Sequence, residues 1–224
     1  MCSRYKLTTP TSVIVEDFGI RSGRPNLEPR YNIAPTQTAP IVRATPSGRQ
    51  IAMVRWGLIP AWARDSKMAA STINARAETV AEKPTFRDAF RQRRCLVPAD
   101  GFYEWKSEAG GKQPYMFRRA DGGVMAFAGL WERWEKEDDV IESFTIIVTS
   151  ANALVTDIHD RMPVILAPAQ FELWLSGNTA EAGALLQPFD AAQMSVERVS
   201  RQLNKVAAEG PQLMTPEPAQ PLLL

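Results

Sequence analysis

The residue with the most distinctive chemistry is Cys2, which directly follows the initiator Met1. Because residue 2 is small, Met1 can be removed, and its removal would leave a free α-amine and a thiol on neighbouring carbons. The α-amine of a chain terminus titrates near pH 8, so roughly a tenth of it is a neutral nucleophile at pH 7. Such an aminothiol forms a Schiff base with an aldehyde and then closes to a five-membered thiazolidine. The alternative is an ordinary mobile terminus that happens to carry a cysteine, and the dipeptide alone favours it.

Three further side chains could assist such chemistry. His159 is the only histidine, and imidazole is the internal side chain that most readily transfers protons near neutral pH. Glu104 lies between Tyr103 and Trp105, and a carboxyl group among aromatic rings acquires a raised pKa that suits a general acid or base. Asn74 offers an amide donor and acceptor that can orient a ligand. Each also has a structural interpretation: a histidine at a strand–helix corner, a glutamate facing water at a strand end, and an asparagine in a turn.

Composition limits the classes of protein that these residues can belong to. The chain has 224 residues, a hydrophobic content of 45% and a charged content of 23%, which is typical of a globular protein. Two cysteines provide no disulfide framework, and with one histidine they argue against a structural zinc site or another metal centre. No apolar run predicts a membrane span or a signal peptide, so a cytoplasmic protein without membrane contact is expected. The net charge of +1 neither excludes nor indicates nucleic acid, which a local basic patch would have to bind.

The elements that must position these residues are mostly strands. Apolar runs and Gly/Pro turns predict strands at 40–44, 50–56, 95–98, 114–119, 124–131, 144–149 and 164–166, and helices at 11–18, 84–94, 168–175 and 179–186. The segment 30–37 is predicted to be a loop. Short turns, not crossover helices, join the strands, which argues against a doubly wound sheet. We therefore predict one α+β domain over residues 1–213, with a mainly antiparallel, barrel-like β core flanked by short helices, and a flexible tail over 214–224.

Two other features allow either burial or surface contact. Trp56 and Trp62 lie in a segment interrupted by Gly and Pro, and burial under the loop is the commoner outcome for such rings. The end of the helix predicted at 84–94 is basic, which is typical of a solvated face. Its arginines are Arg87, Arg91, Arg93 and Arg94.

Together these residues belong to a set of motifs that resembles a known family. The motifs are Met1-Cys2-x-Arg4, Arg30-Tyr31-Asn32-Ile33-Ala34-Pro35, Trp56-Gly57, Ile73-Asn74-Ala75-Arg76-x-Glu78, Ala99-Asp100-Gly101-Phe102-Tyr103-Glu104-Trp105 and His159-Asp160-Arg161-Met162-Pro163. They resemble the SRAP family, named SOS-response-associated peptidases, whose members crosslink themselves to abasic sites in single-stranded DNA. The similarity extends from residue 2 to about residue 213. Six ordered motifs in one domain make the resemblance specific.

The resemblance implies a role for each catalytic candidate. Cys2 would be the nucleophile that traps the ring-opened aldehyde of the abasic sugar through its amine and thiol. Asn74 would hold the N-terminal residue and the sugar in register. Glu104 would transfer protons during Schiff-base formation and its reversal, and His159 would donate a proton to the sugar oxygen as the ring opens. The resemblance implies no cofactor. It leaves open whether the protein removes Met1 itself or an aminopeptidase does so.

The resemblance also implies how DNA would be held. Arg4, Arg76 and Arg161 would bind the phosphates that flank the lesion, because the guanidinium fork suits phosphate oxygens. Three other side chains would pack against neighbouring bases and favour a bent single strand: Pro35, Trp62 and Trp105. The chain departs from the family at Ser3, where glycine is common, and at Ala63, where some members have a second tryptophan.

The resemblance implies a monomeric DNA-repair protein whose partner is single-stranded DNA containing abasic sites, nucleoid-associated when bound. The alternatives come from other classes. An N-terminal-nucleophile amidohydrolase also exposes a cysteine at position 2, but needs an oxyanion hole and a glutamine pocket for which no motif is present. A peptidase fits the older family name. A non-covalent single-strand binder would give reversible, salt-sensitive binding without a covalent product.

Overall fold

Strands are the main regular elements of this fold. The structure is a computed structural model that describes residues 2–23 and 25–216. Within these residues the strands are β1 (Tyr5–Leu7), β2 (Ile20–Ser22), β3 (Arg30–Ile33), β4 (Thr38–Thr45), β5 (Gly48–Trp56), β6 (Asn74–Arg76), β7 (Arg94–Ala99), β8 (Gly101–Glu108), β9 (Gly111–Arg119), β10 (Met125–Lys136), β11 (Asp139–Ser150), β12 (Arg161–Pro163) and β13 (Met194–Arg198). The α-helices are α1 (Thr11–Asp17), α2 (Arg87–Gln92), α3 (Phe171–Ser176) and α4 (Thr179–Ala184). Short 3-10 helices cover Ser66–Ser71, Pro168–Gln170, Ala191–Gln193, Arg201–Asn204 and Pro211–Met214.

The larger sheet closes into a barrel. Its strand order is β12-β11-β10-β7-β4-β5-β2, and an additional pairing joins β11 to β5. The circuit β5-β4-β7-β10-β11 is therefore complete. Its pairings are antiparallel except for the closing one, in which Ser143 lies opposite Arg55 and Phe144 opposite Trp56. Closure removes two exposed sheet edges, which would otherwise be open to pairing with other chains.

A second sheet contains the N-terminal strand β1. Its order is β13-β9-β8-β1-β3, with β1 between β8 and β3. Tyr5 of β1 lies opposite Phe102 of β8, and the backbone N–H of Tyr103 donates to the carbonyl oxygen of Arg4 at 3.0 Å. Residues 2–4 therefore run directly beside the segment that contains Glu104.

The two sheets share an apolar core. Tyr5 is fully buried between Trp56 and Phe127, with ring centroids 5.3 Å and 6.0 Å away in edge-on arrangements. Trp56 stacks on Phe144, and its indole N–H donates to the carbonyl oxygen of Ile73. Cys2 belongs to this same buried cluster. The N-terminal segment is thus anchored by the core and is not an ordinary mobile terminus.

The predicted α+β domain with a mainly antiparallel barrel-like core is confirmed. Several local predictions are wrong. The segment 30–37 begins as strand β3, and the strand predicted at 164–166 is instead β12, three residues earlier in the chain. Arg94 is buried, not solvated, and its guanidinium donates to the carbonyl oxygens of Phe90 and Trp174.

The ends of the predicted domain fall partly outside the described residues. Leu213 is buried against Val199 and Leu203, so the described chain packs on the domain up to the predicted boundary. Most of the predicted tail, residues 217–224, lies outside the described part of the chain, and the boundary at residue 213 stays a prediction. Among residues 2–23 and 25–216, no helix is both long enough and apolar enough to cross a membrane.

Candidate functional site

Asn74 holds the backbone of Cys2 by a hydrogen bond. The amide Nδ2 of Asn74 donates to the carbonyl oxygen of Cys2 at 2.8 Å, across 72 residues of sequence. Asn74 is placed there by β6, which pairs with β11 so that Asn74 lies opposite Ile146. The Oδ1 atom of Asn74 is buried and has no hydrogen-bond partner among the described residues. A buried acceptor without a donor carries a desolvation cost, so this oxygen marks a place where a donor from a ligand or a chain terminus would be stabilised.

Glu104 and His159 approach each other beside this contact. Glu104 lies on β8 with its side chain only 4% exposed, and its Oε2 is 4.0 Å from Nε2 of His159. That distance is too long for a direct hydrogen bond. Burial raises the pKa of Glu104 to about 7. The carboxyl group is therefore present in both protonation states near neutral pH, as a group that both gives and takes protons requires.

The backbone fixes the state of the histidine ring. Nδ1 of His159 accepts a hydrogen bond from the backbone N–H of Arg161 at 2.9 Å, so the neutral ring carries its proton on Nε2, which faces Glu104. Oδ1 of Asp160 lies 3.0 Å from the same Nδ1, a contact that becomes favourable only when the ring is protonated. Burial lowers the pKa of His159, which favours the neutral ring at pH 7.

The Cys2 thiol is a weak nucleophile in this buried environment. It is fully buried, and burial, with the charge of Glu104 as the next contribution, raises the pKa of the thiol far above its ordinary range. The thiol makes a weak hydrogen bond to the carbonyl oxygen of Arg4 at 4.0 Å. The sulfur therefore stays protonated at neutral pH, and a base must take its proton when it reacts.

Arg4 and Trp105 line an open groove next to Cys2. Ser3, Lys112 and Asn204 complete its lining. The guanidinium of Arg4 lies 5.8 Å from the centre of the Trp105 ring, and it donates to Oδ1 of Asn32 at 2.9 Å. Arg4 is thus fixed by the protein before any ligand arrives.

Trp62 is exposed, whereas Trp56 is buried. The Trp62 side chain is 56% exposed, so the surface alternative holds for it and the burial alternative for Trp56. Gly57 makes the loop possible, because its φ of 114° is rarely adopted by other residues and a Cβ would collide with the carbonyl oxygen of Ala69. Pro35 is partly exposed in the turn that follows β3.

Arg76 and Arg161 lie on strands that flank β11. Arg76 lies on β6, opposite Val148 of β11, and Arg161 lies on β12, opposite Ser150 of β11. Arg76 is exposed, and no other described residue holds its guanidinium by a hydrogen bond or ion pair. Arg161 instead forms an ion pair with Glu78 through Nη1.

The structure brings Cys2, Asn74, Glu104 and His159 together, with Arg4 and Trp105 in the adjoining groove, whereas the DNA contacts of all six predicted side chains stay a prediction. Three residues without a predicted role also contact the proposed DNA-binding side chains or line the groove: Asn32, which fixes Arg4; Lys112, which lines the groove; and Glu78, which pairs with Arg161. Asn32 and Glu78 were within recognised motifs, but nothing in their spacing reveals their partners. Among the described residues, no group of three or more His, Cys, Asp or Glu side chains is arranged to hold a metal ion.

The fold and the site together define a barrel-centred α+β protein with a buried cysteine at position 2 beside a buried glutamate and a histidine. The model of the family described as SOS response associated peptidase (SRAP) matches residues 1–206. The chain belongs to this family.

Characterised relatives and solved structures agree with this assignment. The chain is 40% identical over 221 residues to the abasic site processing protein YoqW of Bacillus subtilis strain 168, covering 96% of this chain and 99% of that protein. It is 32% identical over 191 residues to the abasic site processing protein YedK of Escherichia coli K12, covering 84% of each. The crystal structure of a protein from Bacteroides thetaiotaomicron superposes with a TM-score of 0.86 at 30% identity, covering 96% of this chain and all of that one.

Proposed function

We propose that this protein binds abasic sites in single-stranded DNA and traps them covalently. Cys2, exposed as the N-terminal residue by removal of Met1, forms a thiazolidine with the ring-opened sugar and shields the lesion. The relatives are named abasic site processing proteins, which supports the choice of lesion. The observation that carries the proposal is the site itself: Asn74 holds Cys2 beside a buried carboxyl group whose pKa is about 7.

The reaction begins with opening of the sugar ring. The protonated form of the His159 ring, which the nearby Asp160 stabilises, donates its Nε2 proton to the ring oxygen as the bond to the anomeric carbon breaks, and the ring becomes neutral. The anomeric hydroxyl gives its proton to the carboxylate of Glu104 and becomes an aldehyde, which leaves Glu104 protonated. The α-amine of Cys2 adds to this carbonyl carbon, and Oδ1 of Asn74 is available to accept a hydrogen bond from the amine.

Glu104 serves the next two proton transfers. In its protonated form it gives a proton to the hydroxyl of the carbinolamine, which leaves as water and produces an iminium ion. The sulfur of Cys2 then bonds to the same carbon, and the resulting carboxylate takes the thiol proton. This order follows from the raised pKa of the thiol, which requires a base at the moment of attack. Glu104 ends protonated, ready for the reverse sequence.

The surroundings fit a single strand better than a neutral ligand. Arg4, Arg76 and Arg161 each follow a proposed site residue by two positions, and their guanidinium groups match phosphate oxygens. Trp62 offers an exposed ring on which an unpaired base can stack. An intact duplex keeps its bases stacked inside, so such a ring favours single-stranded DNA.

The proposal is tested with untagged protein and an oligonucleotide that carries one abasic site. We expect a heat-resistant adduct on a denaturing gel, absent with an intact oligonucleotide and absent for Cys2→Ala. Cys95→Ala is the matched control, because Cys95 is the other cysteine and is buried in the core, where its carbonyl oxygen accepts a hydrogen bond from Trp174. An uncleaved N-terminal extension also abolishes the adduct, because it converts the α-amine to an amide.

The same experiment separates the alternatives. Equal adduct yield from Cys2→Ala would remove Cys2 from the mechanism. Salt-sensitive binding without any adduct would leave a non-covalent single-strand binder. Release of ammonia from glutamine by the untagged protein would instead indicate an amidohydrolase.

A further inference from the structure

Glu78 lies between the two arginines that flank β11. It follows Arg76 by two residues, just beyond β6, and its carboxylate accepts a hydrogen bond from Nη1 of Arg161. The charge of Arg76 also acts on this carboxylate. One acidic group therefore faces two cations that the proposed function assigns to DNA phosphates.

The Glu78–Arg161 pair is accessible to a ligand. The side chain of Glu78 is 51% exposed and that of Arg161 is 24% exposed. Exposed ion pairs of this kind contribute little to stability, because water screens both charges. A stabilising role in the fold therefore does not account for the placement of the carboxylate.

A carboxylate and a phosphate compete for the same donors on a guanidinium. While Glu78 holds Nη1 of Arg161, the pair is close to neutral and neutralises no phosphate. A strand that reaches Arg161 must displace the carboxylate or accept a negative charge beside its own phosphate. Binding through this arginine is thereby weakened for every strand, with or without a lesion.

We propose that Glu78 is a specificity-determining residue, which competes with DNA phosphates for Arg161 and so weakens the hold on intact single strands. The inference rests on the proposed function. Intact strands then dissociate readily, whereas an abasic strand is retained by its bond to Cys2. The competition lowers non-specific occupancy without reducing covalent capture once the lesion is in the site.

The test compares binding of Glu78→Gln and the parent protein to an intact fluorescent oligonucleotide across a series of salt concentrations. Glutamine keeps an oxygen that can accept from Arg161, so the arginine stays in place while the charge is lost. We expect roughly threefold to tenfold tighter binding at low salt, because the change removes one negative charge beside the phosphate that binds Arg161. The plot of log K against log salt becomes steeper by about 0.7, as one more phosphate is neutralised on a single strand.

Glu172→Gln is the matched control. Glu172 lies on helix α3 and forms an exposed ion pair with Arg49. Its replacement by glutamine changes the net charge by the same amount as Glu78→Gln and also removes a glutamate–arginine ion pair. We expect its affinity and salt slope to equal those of the parent. A double-mutant cycle with Arg161→Ala completes the test, because most of the gain from Glu78→Gln depends on that arginine.

The outcomes distinguish this inference from the proposed function. Unchanged or weaker binding by Glu78→Gln, with an unchanged salt slope, would show that Glu78 only positions Arg161 and would overturn the inference. A gain that persists undiminished in the Arg161→Ala background would also overturn it. The adduct between the parent protein and an abasic strand is measured separately, so its absence would refute the proposed function whatever Glu78 does.

Discussion

The burial of Glu104 predicts that its charged form destabilises the folded protein at neutral and alkaline pH. Its side chain is only 4% exposed, and burial raises its pKa from 4.5 to about 7. Replacing Glu104 with Gln keeps the size of the side chain but removes the charge. We expect Glu104→Gln to be more stable than the parent above pH 7 and to form the DNA adduct far more slowly.

The size of the effect follows from the difference between the folded and unfolded pKa. A rise from 4.5 to about 7 corresponds to about 3 kcal/mol, at about 1.36 kcal/mol for each pH unit. Because the folded pKa is the higher one, the folded state binds more protons between these two values. The parent therefore loses stability as pH rises from 4.5 to about 7 and has lost the whole amount above that. Between pH 5 and pH 8 the advantage of Glu104→Gln should grow by about 2.5 kcal/mol.

The measurement is the free energy of unfolding in urea at pH 5, 6, 7 and 8 for both proteins. Glu16→Gln is a suitable control, because Glu16 is an exposed glutamate on α1 and its replacement should leave the pH dependence unchanged. Adduct formation is followed over time at each pH. Loss of a general acid–base group of this kind slows a reaction typically by about a hundredfold to ten-thousandfold.

One result would refute this reasoning. If the stability difference between Glu104→Gln and the parent were the same at pH 5 and pH 8, Glu104 would not carry a raised pKa in the folded protein. The proton-transfer role would also fail if Glu104→Gln released a preformed crosslink as fast as the parent, since formation and reversal pass through the same Schiff base.

Three further predictions concern the surroundings of the site. Arg76→Ala should weaken binding to intact and abasic single strands alike and flatten the salt slope by about 0.7; an unchanged slope would limit Arg76 to contacts within the protein. Arg161→Ala should weaken binding as well but leave the slope nearly unchanged, because Glu78 already neutralises this arginine in the parent. Trp62→Ala should weaken binding to single strands by about 1–3 kcal/mol, measured by fluorescence anisotropy, with no change in unfolding free energy because the ring is exposed. His159→Gln should slow adduct formation with an abasic sugar more than reaction with a small open-chain aldehyde, since only the sugar must open; equal slowing of both would move His159 to a later step.

Short-range sequence signals predicted a strand at each of the five barrel strands but missed β8, which carries Glu104, and several strands of three residues. The strands predicted at 50–56, 114–119 and 144–149 lie within β5, β9 and β11, because long apolar runs bounded by glycine-containing turns are local signals. Strands β1, β6 and β12 have three residues each, too few to show a period of two. They exist because β8 and β11 offer unpaired edges, which is a property of the assembled sheet.

The sequence by itself determined which groups can do chemistry. The cysteine at position 2, the single histidine and the glutamate between two aromatic residues are visible without coordinates, and the aromatic neighbours of Glu104 correctly indicated a raised pKa. Only the tertiary structure decided how these groups meet. The contact from Asn74 to Cys2, the approach of His159 to Glu104 and the pairing of Glu78 with Arg161 each join residues whose geometry depends on strand register. Register is set by pairing between strands far apart in the chain, and for this reason no local pattern could have specified these contacts.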